Sequence, residues 1–123
     1  MAFKGMKVTV ERAGNTVKWV NVNGVALEAG QIEELDTTDN LVGVLTGAIG
    51  IGETGDMAID NVAVRLNKET AGDAFTAGQR CEIKFQSNGV VDCDPNVAGS
   101  HICLEAAPAD ITTVLVSINK LAG

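Results

Sequence analysis

Apolar and polar residues alternate with period two through most of the chain, which is the pattern of strands that bury one face. Met6 to Val10 alternates in this way, and Ala13-Gly14-Asn15 is placed to turn it into a returning strand from Thr16 to Val22. On that second strand Val17, Trp19 and Asn21 share one face, and Lys18, Val20 and Val22 share the other. Both faces are partly apolar, which suggests burial on one side and a partner on the other. Asn23-Gly24 is a strong turn signal. Ile32 to Leu35 is a short strand, Thr37 to Asn40 a loop, and Leu41 to Leu45 a continuous apolar run of the kind a buried strand shows. Asp60-Asn61 is placed as a hairpin turn between Met57–Ile59 and Val62–Leu66. The clearest alternation runs from Gln79 to Gln86, with Cys81, Ile83 and Phe85 inward and Arg80, Glu82, Lys84 and Gln86 outward. Asn88-Gly89 turns the chain. Strands follow at His101–Glu105 and Thr113–Ile118, the last with Val114, Val116 and Ile118 on one face. Only Lys68 to Phe75 has room for a short helix, and Gly72 weakens it. About eight to ten short strands with frequent turns predict an all-β fold, a compact small β-barrel with at most one short helix.

One phrase recurs at the turns: a glycine, a small polar residue, then an apolar alternation. It occurs at Gly14-Asn15-Thr16-Val17, Gly30-Gln31-Ile32, Gly55-Asp56-Met57 and Gly78-Gln79-Arg80-Cys81. Two copies extend further. Ala26-Leu27-Glu28-Ala29-Gly30-Gln31-Ile32-Glu33-Glu34-Leu35 matches Ala74-Phe75-Thr76-Ala77-Gly78-Gln79-Arg80-Cys81-Glu82-Ile83 at five of ten positions. Glycine supplies the positive φ a tight turn needs, and the neighbouring polar side chain closes the turn on its own backbone.

Composition narrows the function. With 123 residues the chain is one domain by length, large enough to need no metal or disulfide staple. It is 46% hydrophobic but only 3% aromatic, so its core is aliphatic and aromatic-lined binding surfaces are disfavoured. The net charge of −7 repels phosphate backbones, which argues against a nucleic-acid partner. The charge is uneven: residues 1–18 hold Lys4, Lys7, Arg12 and Lys18 against Glu11 alone, whereas Glu28 to Asp39 holds five acids and no base. The first reads as a basic arm able to dock on an acidic partner, the second as a solubilising surface. Residues 1–13 are therefore expected to form an N-terminal arm and first strand, and 14–123 the domain. Cys81, Cys93 and Cys103 are odd in number and without a C-x-x-C pair, which points to reduced thiols made in a cytoplasm. The first residues lack a signal-peptide apolar segment, and no apolar run reaches membrane-spanning length.

Candidate chemistry is sparse. Gly50-Ile51-Gly52-Glu53-Thr54-Gly55 spells G-x-G-x-x-G, but a strand pattern follows where a dinucleotide site needs a helix, so it reads as a turn and a strand. Asp92-Cys93-Asp94-Pro95-Asn96 lacks the spaced oxygens of a calcium loop and reads as a proline-turned loop. His101, Cys103 and Glu105 fall on one strand face and form the best catalytic constellation the chain offers. No nucleophile elbow or oxyanion loop accompanies them. Cys81, Cys93, Cys103 and His101 have zinc-ligand chemistry without chelating spacing. No catalytic, metal or cofactor site is expected.

The order of these phrases resembles the small capsid decoration (cement, or head-stabilising) proteins of tailed bacteriophages. The residues that carry the likeness are Gly14 to Val17, Asn23 to Gln31, Leu41 to Leu45, Gly52 to Asp56, Val62 to Val64, Ala74 to Gln79, Ile102 to Ala107 and Val114 to Val116. The likeness covers most of the chain from residue 14 onward. The cysteines and the patterned N-terminal hairpin depart from it. The resemblance implies a β-barrel-like, β-tulip-like domain that assembles as a homotrimer on the outer surface of an icosahedral head and clamps the major capsid protein. It also implies a virion protein made in a bacterial cytoplasm, with no cofactor, nucleic acid or membrane partner. Phe3 and Met6 are then candidate apolar anchors to the capsid, with Lys4 and Lys7 pairing capsid acids. The competing reading is a small-ligand-binding or carrier β-barrel, which requires an apolar pocket with a few convergent polar groups.

Overall fold

The computed structural model describes residues 8–12, 14–22, 24–36, 38–70, 72–87 and 90–120. Its strands are β1 (Thr9–Arg12), β2 (Asn15–Val20), β3 (Ile32–Asp36), β4 (Leu41–Leu45), β5 (Thr54–Asp60), β6 (Ala63–Lys68), β7 (Arg80–Phe85), β8 (Val91–Pro95), β9 (His101–Cys103) and β10 (Thr113–Ser117). No helix occurs among the described residues. The stretch after Lys68 is bends and a turn around Gly72, whose φ is 95°.

The all-β small domain expected from the alternation is arranged as two sheets. One has the order β2-β5-β4-β3, the other β1-β6-β10-β9-β7-β8. In the larger sheet β8 also pairs in parallel with β6, which closes β6, β10, β9, β7 and β8 into a ring. The main core joins Ile32, Val42, Val44 and Ala58 of the smaller sheet to Val64, Ile83, Val114 and Val116 of the larger. A second cluster of Leu27, Leu45, Ile49 and Met57, flanked by Trp19 and Ile59, covers the other face of β4 and β5. Strand β4 is thus buried on both faces, which is why Leu41 to Leu45 reads as a continuous apolar run.

Two expected hairpins are absent. The turn at residues 13–15 does not fold the first strand back on the second: β1 lies on β6 and β2 on β5. Asp60-Asn61 likewise carries the chain from one sheet to the other. The two crossings touch. A Cβ on Gly14 would lie 1.8 Å from the Asp60 carbonyl oxygen, so only glycine lets the backbones cross. Alternation fixes which face a residue takes and leaves the pairing partner open. A third correction concerns Asp92 to Asn96, expected as a loop. Residues 91–95 form β8, with Cys93 opposite Ile83 and in phase with the buried Val91. The aspartates that obscured the strand face polar partners on β7 and just after it: Gln86 Nε2 donates to Asp92 Oδ1 at 3.1 Å, and Lys84 Nζ lies 3.7 Å from Asp94 Oδ2.

The repeated phrase is the trace of a structural duplication. At the first copy Gln31 Oε1 accepts the Glu28 amide, Gly30 N donates to Leu45 O at 2.8 Å, and Gly30 has φ 85°. At the second, Gln79 Oε1 accepts the Thr76 amide, Gly78 N donates to Cys103 O at 2.8 Å, and Gly78 has φ 86°. Each turn then pairs with another of the same shape. Leu27 exchanges both backbone bonds with Ile49, and Phe75 with Ala107. The turn after Ile49 is closed by Glu53 Oε1 accepting the Gly50 amide at 2.9 Å. The turn after Ala107 is closed by Ile111 N donating to Pro108 O.

The correspondence reaches a buried donor in each half. Asn21 Nδ2 donates to the carbonyls of Val25, Ile49 and Gly50 at 2.9, 3.1 and 3.3 Å. Lys68 Nζ donates to the equivalent carbonyls of Asp73, Ala107 and Pro108. The three protons of the ammonium are all used, which is what lets a lysine sit 8% exposed over the Phe75 ring. The halves are therefore β2-β3-β4-β5 and β6-β7-β9-β10, with β8 inserted in the second.

The glycine crossing predicts that Gly14→Ala lowers stability by roughly 2 kcal/mol or more, because the obstructing atom is backbone and has no room to yield. The urea midpoint reads this; a midpoint equal to the parent's contradicts it.

Candidate functional site

The residues with the most chemistry are spent on structure. His101 is fully buried. Its Nδ1 accepts the Asn119 amide at 2.8 Å, and its Nε2 lies 2.9 Å from Asn40 O and 3.0 Å from Asn40 Oδ1. An imidazole that accepts at Nδ1 and donates at Nε2 is neutral. Burial pushes its pKa down from 6.5 to about 4, against an opposing pull from the Asn40 carbonyl. Asn119 extends the chain of bonds. Its Nδ2 donates to Val42 O and Ile59 O at 2.7 and 2.6 Å, and its Oδ1 accepts the Val42 amide. Asn40 does the same at the other end, donating to Ile83 O and accepting from Ile83 N. One polar relay, centred on the buried His101 and carried by the half-buried Asn40 and Asn119, thus ties β4 and β5 of the smaller sheet to β7 and β9 of the larger. Asn40 and Asn119 both hold positive φ, 55° and 58°, which asparagine tolerates better than other side-chain-bearing residues.

The constellation His101–Cys103–Glu105 is not assembled. The Cys103 thiol is buried and donates to the Glu105 carbonyl at 2.8 Å, whereas the Glu105 carboxylate is exposed and pairs with Arg65 at 2.9 Å. The four residues with zinc-ligand chemistry are also engaged elsewhere. All three cysteines are in the core cluster, and both His101 nitrogens have protein partners. Among the described residues no three His, Cys, Asp or Glu side chains converge in a metal-binding group. Burial pushes the Cys81 thiol up to about 12 and raises Cys93 and Cys103 as well. A thiol without thiolate character is a small hydrophobe. The G-x-G-x-x-G letters form a turn with Gly52 at φ 75° that leads into β5, so no helix terminus is presented to a phosphate.

An apolar recess of about 270 Å³ lies beside β1, lined by Val10, Ala29, Gly30, Val44, Leu45, Thr46, Ala58 and Val62. Among its described lining residues Thr46 is the one polar side chain, so these do not supply the convergent polar groups that would orient a small ligand.

What remains is surface. Around β7 and β8 the acids Glu69, Glu82 and Asp94 surround Lys84, at 2.9, 3.6 and 3.7 Å. The Lys84 hydrogen bond holds the Glu69 carboxyl below its usual range, and Glu69 in turn raises Lys84. The smaller sheet ends in β2, whose outer edge is exposed and carries Val17, Lys18 and Val20; Val22 follows at 81% exposure. Sequence reasoning had marked this strand as apolar on both faces but not as an open edge. Phe3, Lys4, Met6 and Lys7 lie outside the described residues. The described chain enters at Val8, whose N–H donates to Gly30 O at 2.8 Å, and continues as β1 on β6. No helix among the described residues is long and apolar enough to cross a membrane.

Residues 5–118 match the family model described as phage cement protein. No curated protein matches the chain.

The buried neutral histidine makes stability pH-dependent. The unfolded chain binds a proton near pH 6.5 and the folded one only near pH 4, so stability is complete above 6.5 and falls as the pH drops towards 4. The loss is on the order of 3 kcal/mol. The unfolding free energy read from urea titration should be lower at pH 4.5 than at pH 7.5 by about this amount beyond the change seen in a His101→Gln variant; an equal change in both contradicts it. The three thiols should resist an aromatic disulfide reagent in the native protein and all react in urea. Fast native reaction contradicts the burial.

Proposed function

The chain belongs to the phage cement protein family, and we propose that it binds the outer surface of an icosahedral phage head as a trimer and stabilises the contacts between major capsid subunits. The observation that carries this reading is the family match across residues 5–118. The physical character of the domain supports it. Its one histidine and three cysteines are committed to the core, and the apolar recess beside β1 has Thr46 alone as a polar side chain among the described lining residues. A rigid insert that reinforces a shell needs a stable fold and exposed edges, and these are what the chain invests in.

The contact to the capsid is assigned in part to the segment ahead of the domain. Phe3 and Met6 supply apolar anchors, and Lys4 and Lys7 supply charges for capsid carboxylates. The pairing of Thr9 and Val10 with Arg65 and Val64 limits this arm. Within the 1–13 segment, residues 9–12 are a strand of the domain's own sheet, so the part left for an external partner precedes Val8. The acidic body then faces solvent, and the chain as a whole carries a net charge of −7.

Removing residues 2–7 should leave thermal unfolding of the isolated protein unchanged and abolish co-sedimentation with phage heads assembled without this protein. Undiminished occupancy of the heads contradicts the role of the arm. Light scattering of the full chain should give the mass of three copies; a monomer at all concentrations contradicts the trimer.

A further inference from the structure

The duplicated halves differ at one edge, and from that difference we infer that the outer edge of β2 receives an extended strand of the capsid protein with an acidic residue opposite Lys18. The inference rests on the cement reading and adds a second contact to it. Because Asn21 and Lys68 donate to equivalent carbonyls, the strands that precede them are counterparts: Thr16, Lys18 and Val20 of β2 correspond to Ala63, Arg65 and Asn67 of β6. On β6 these positions are covered. Ala63 and Arg65 pair with β1, and Asn67 pairs with β8. On β2 no strand among the described residues covers them. Asn21 directs its N–H to Glu53 O at 2.9 Å and receives Gly52 N at 3.0 Å, so it faces β5. Alternation then turns the N–H and C=O of Thr16, Lys18 and Val20 away from β5. Among the described residues β2 pairs with β5 alone.

An open edge six residues long is a template for a strand from another chain. The side chains beside it favour one, with Val20 at 47%, Val22 at 81% and Ile51 at 64% exposure. Lys18 selects which strand. It sits at the middle of the edge, 76% exposed and 2.8 Å from Asp56. A two-fold pairing of β2 with β2 of a second copy in register would set Lys18 against Lys18, and like charges directly opposite are destabilising. A foreign strand with Asp or Glu at that position meets a complementary charge and completes the edge, as β1 does on β6.

Two variants test this against heads of the encoding phage assembled without the protein. Val20→Pro removes an outward N–H that no bond among the described residues uses, and Lys18→Glu reverses the central charge. Each should keep the parent's circular dichroism and melting temperature and bind heads about tenfold or more weakly, as expected for losing one or two good hydrogen bonds or a charge pair. Lys18→Arg should bind as the parent does. If Val20→Pro does not fold, Lys18→Glu decides alone. Variants that bind like a binding parent overturn the edge inference and leave the cement reading standing. A parent that does not bind overturns both. A parent oligomer that Val20→Pro dissociates in light scattering, in the absence of heads, makes a second copy the occupant and overturns the capsid strand.

Discussion

The two sheets are held in one arrangement by a run of hydrogen bonds from Ile83 through Asn40, His101 and Asn119 to Val42 and Ile59. Each member has its partners, so the cost of burying polar groups is met and what remains is direction. Hydrophobic contact alone would let one sheet slide on the other. The relay fixes the register, because Asn40 reads the backbone of β7, Asn119 reads that of β4 and β5, and the imidazole spans between them. It works only with a neutral histidine, which ties the integrity of the sandwich to pH without giving the residue any role in catalysis.

The second constraint is the duplicated turn. Its essentials are backbone geometry: a closed four-residue turn, with positive φ at Gly30, Gly52 and Gly78, and bridges that pair one turn with another. Side chains that provide the same bond in different ways have been substituted freely. All four turns close through backbone, the fourth residue's N–H donating to the first residue's carbonyl; Gln31, Glu53 and Gln79 add a side-chain oxygen that accepts the first residue's amide, a bond Pro108 has no N–H to make. Asn21 and Lys68 give three protons or fewer to equivalent carbonyls with quite different chemistry. The duplication persists in its backbone hydrogen bonds where it has faded in letters. The inserted β8 and the added β1 then break the likeness of the halves, covering β6 and leaving β2 open.

Much of the fold was legible in the sequence because alternation reports burial directly. Leu41 to Leu45, Cys81 to Phe85 and Val114 to Ile118 lie where their patterns put them. Three things were not legible. Strand partners were missed at Gly14 and Asp60, because a turn signal does not say whether the chain returns to the same sheet. Strand β8 was missed because Asp92 and Asp94 resemble loop residues until Gln86 and Lys84 are placed beside them. The relay was missed because Asn40 and Asn119 resemble ordinary turn residues until the fold brings them to His101. The candidate surface was half legible: the apolar second face of β2 showed in its valines, whereas its openness depends on which strand of the chain went elsewhere. The family likeness came from the order of turns and strands, the same feature that the duplication explains.

The central claim is that this domain is a structural insert on a phage shell, gripping it through strand edges. Cryo-electron microscopy of heads of the encoding phage, prepared with and without the protein, tests it most directly. The account predicts added density on the outer surface at the junctions of capsid subunits, fitted by this two-sheet domain, with a capsid strand running along β2. Heads that look the same in both preparations, or density in which β2 faces solvent and the domain meets the shell through its ring of five strands, would contradict it.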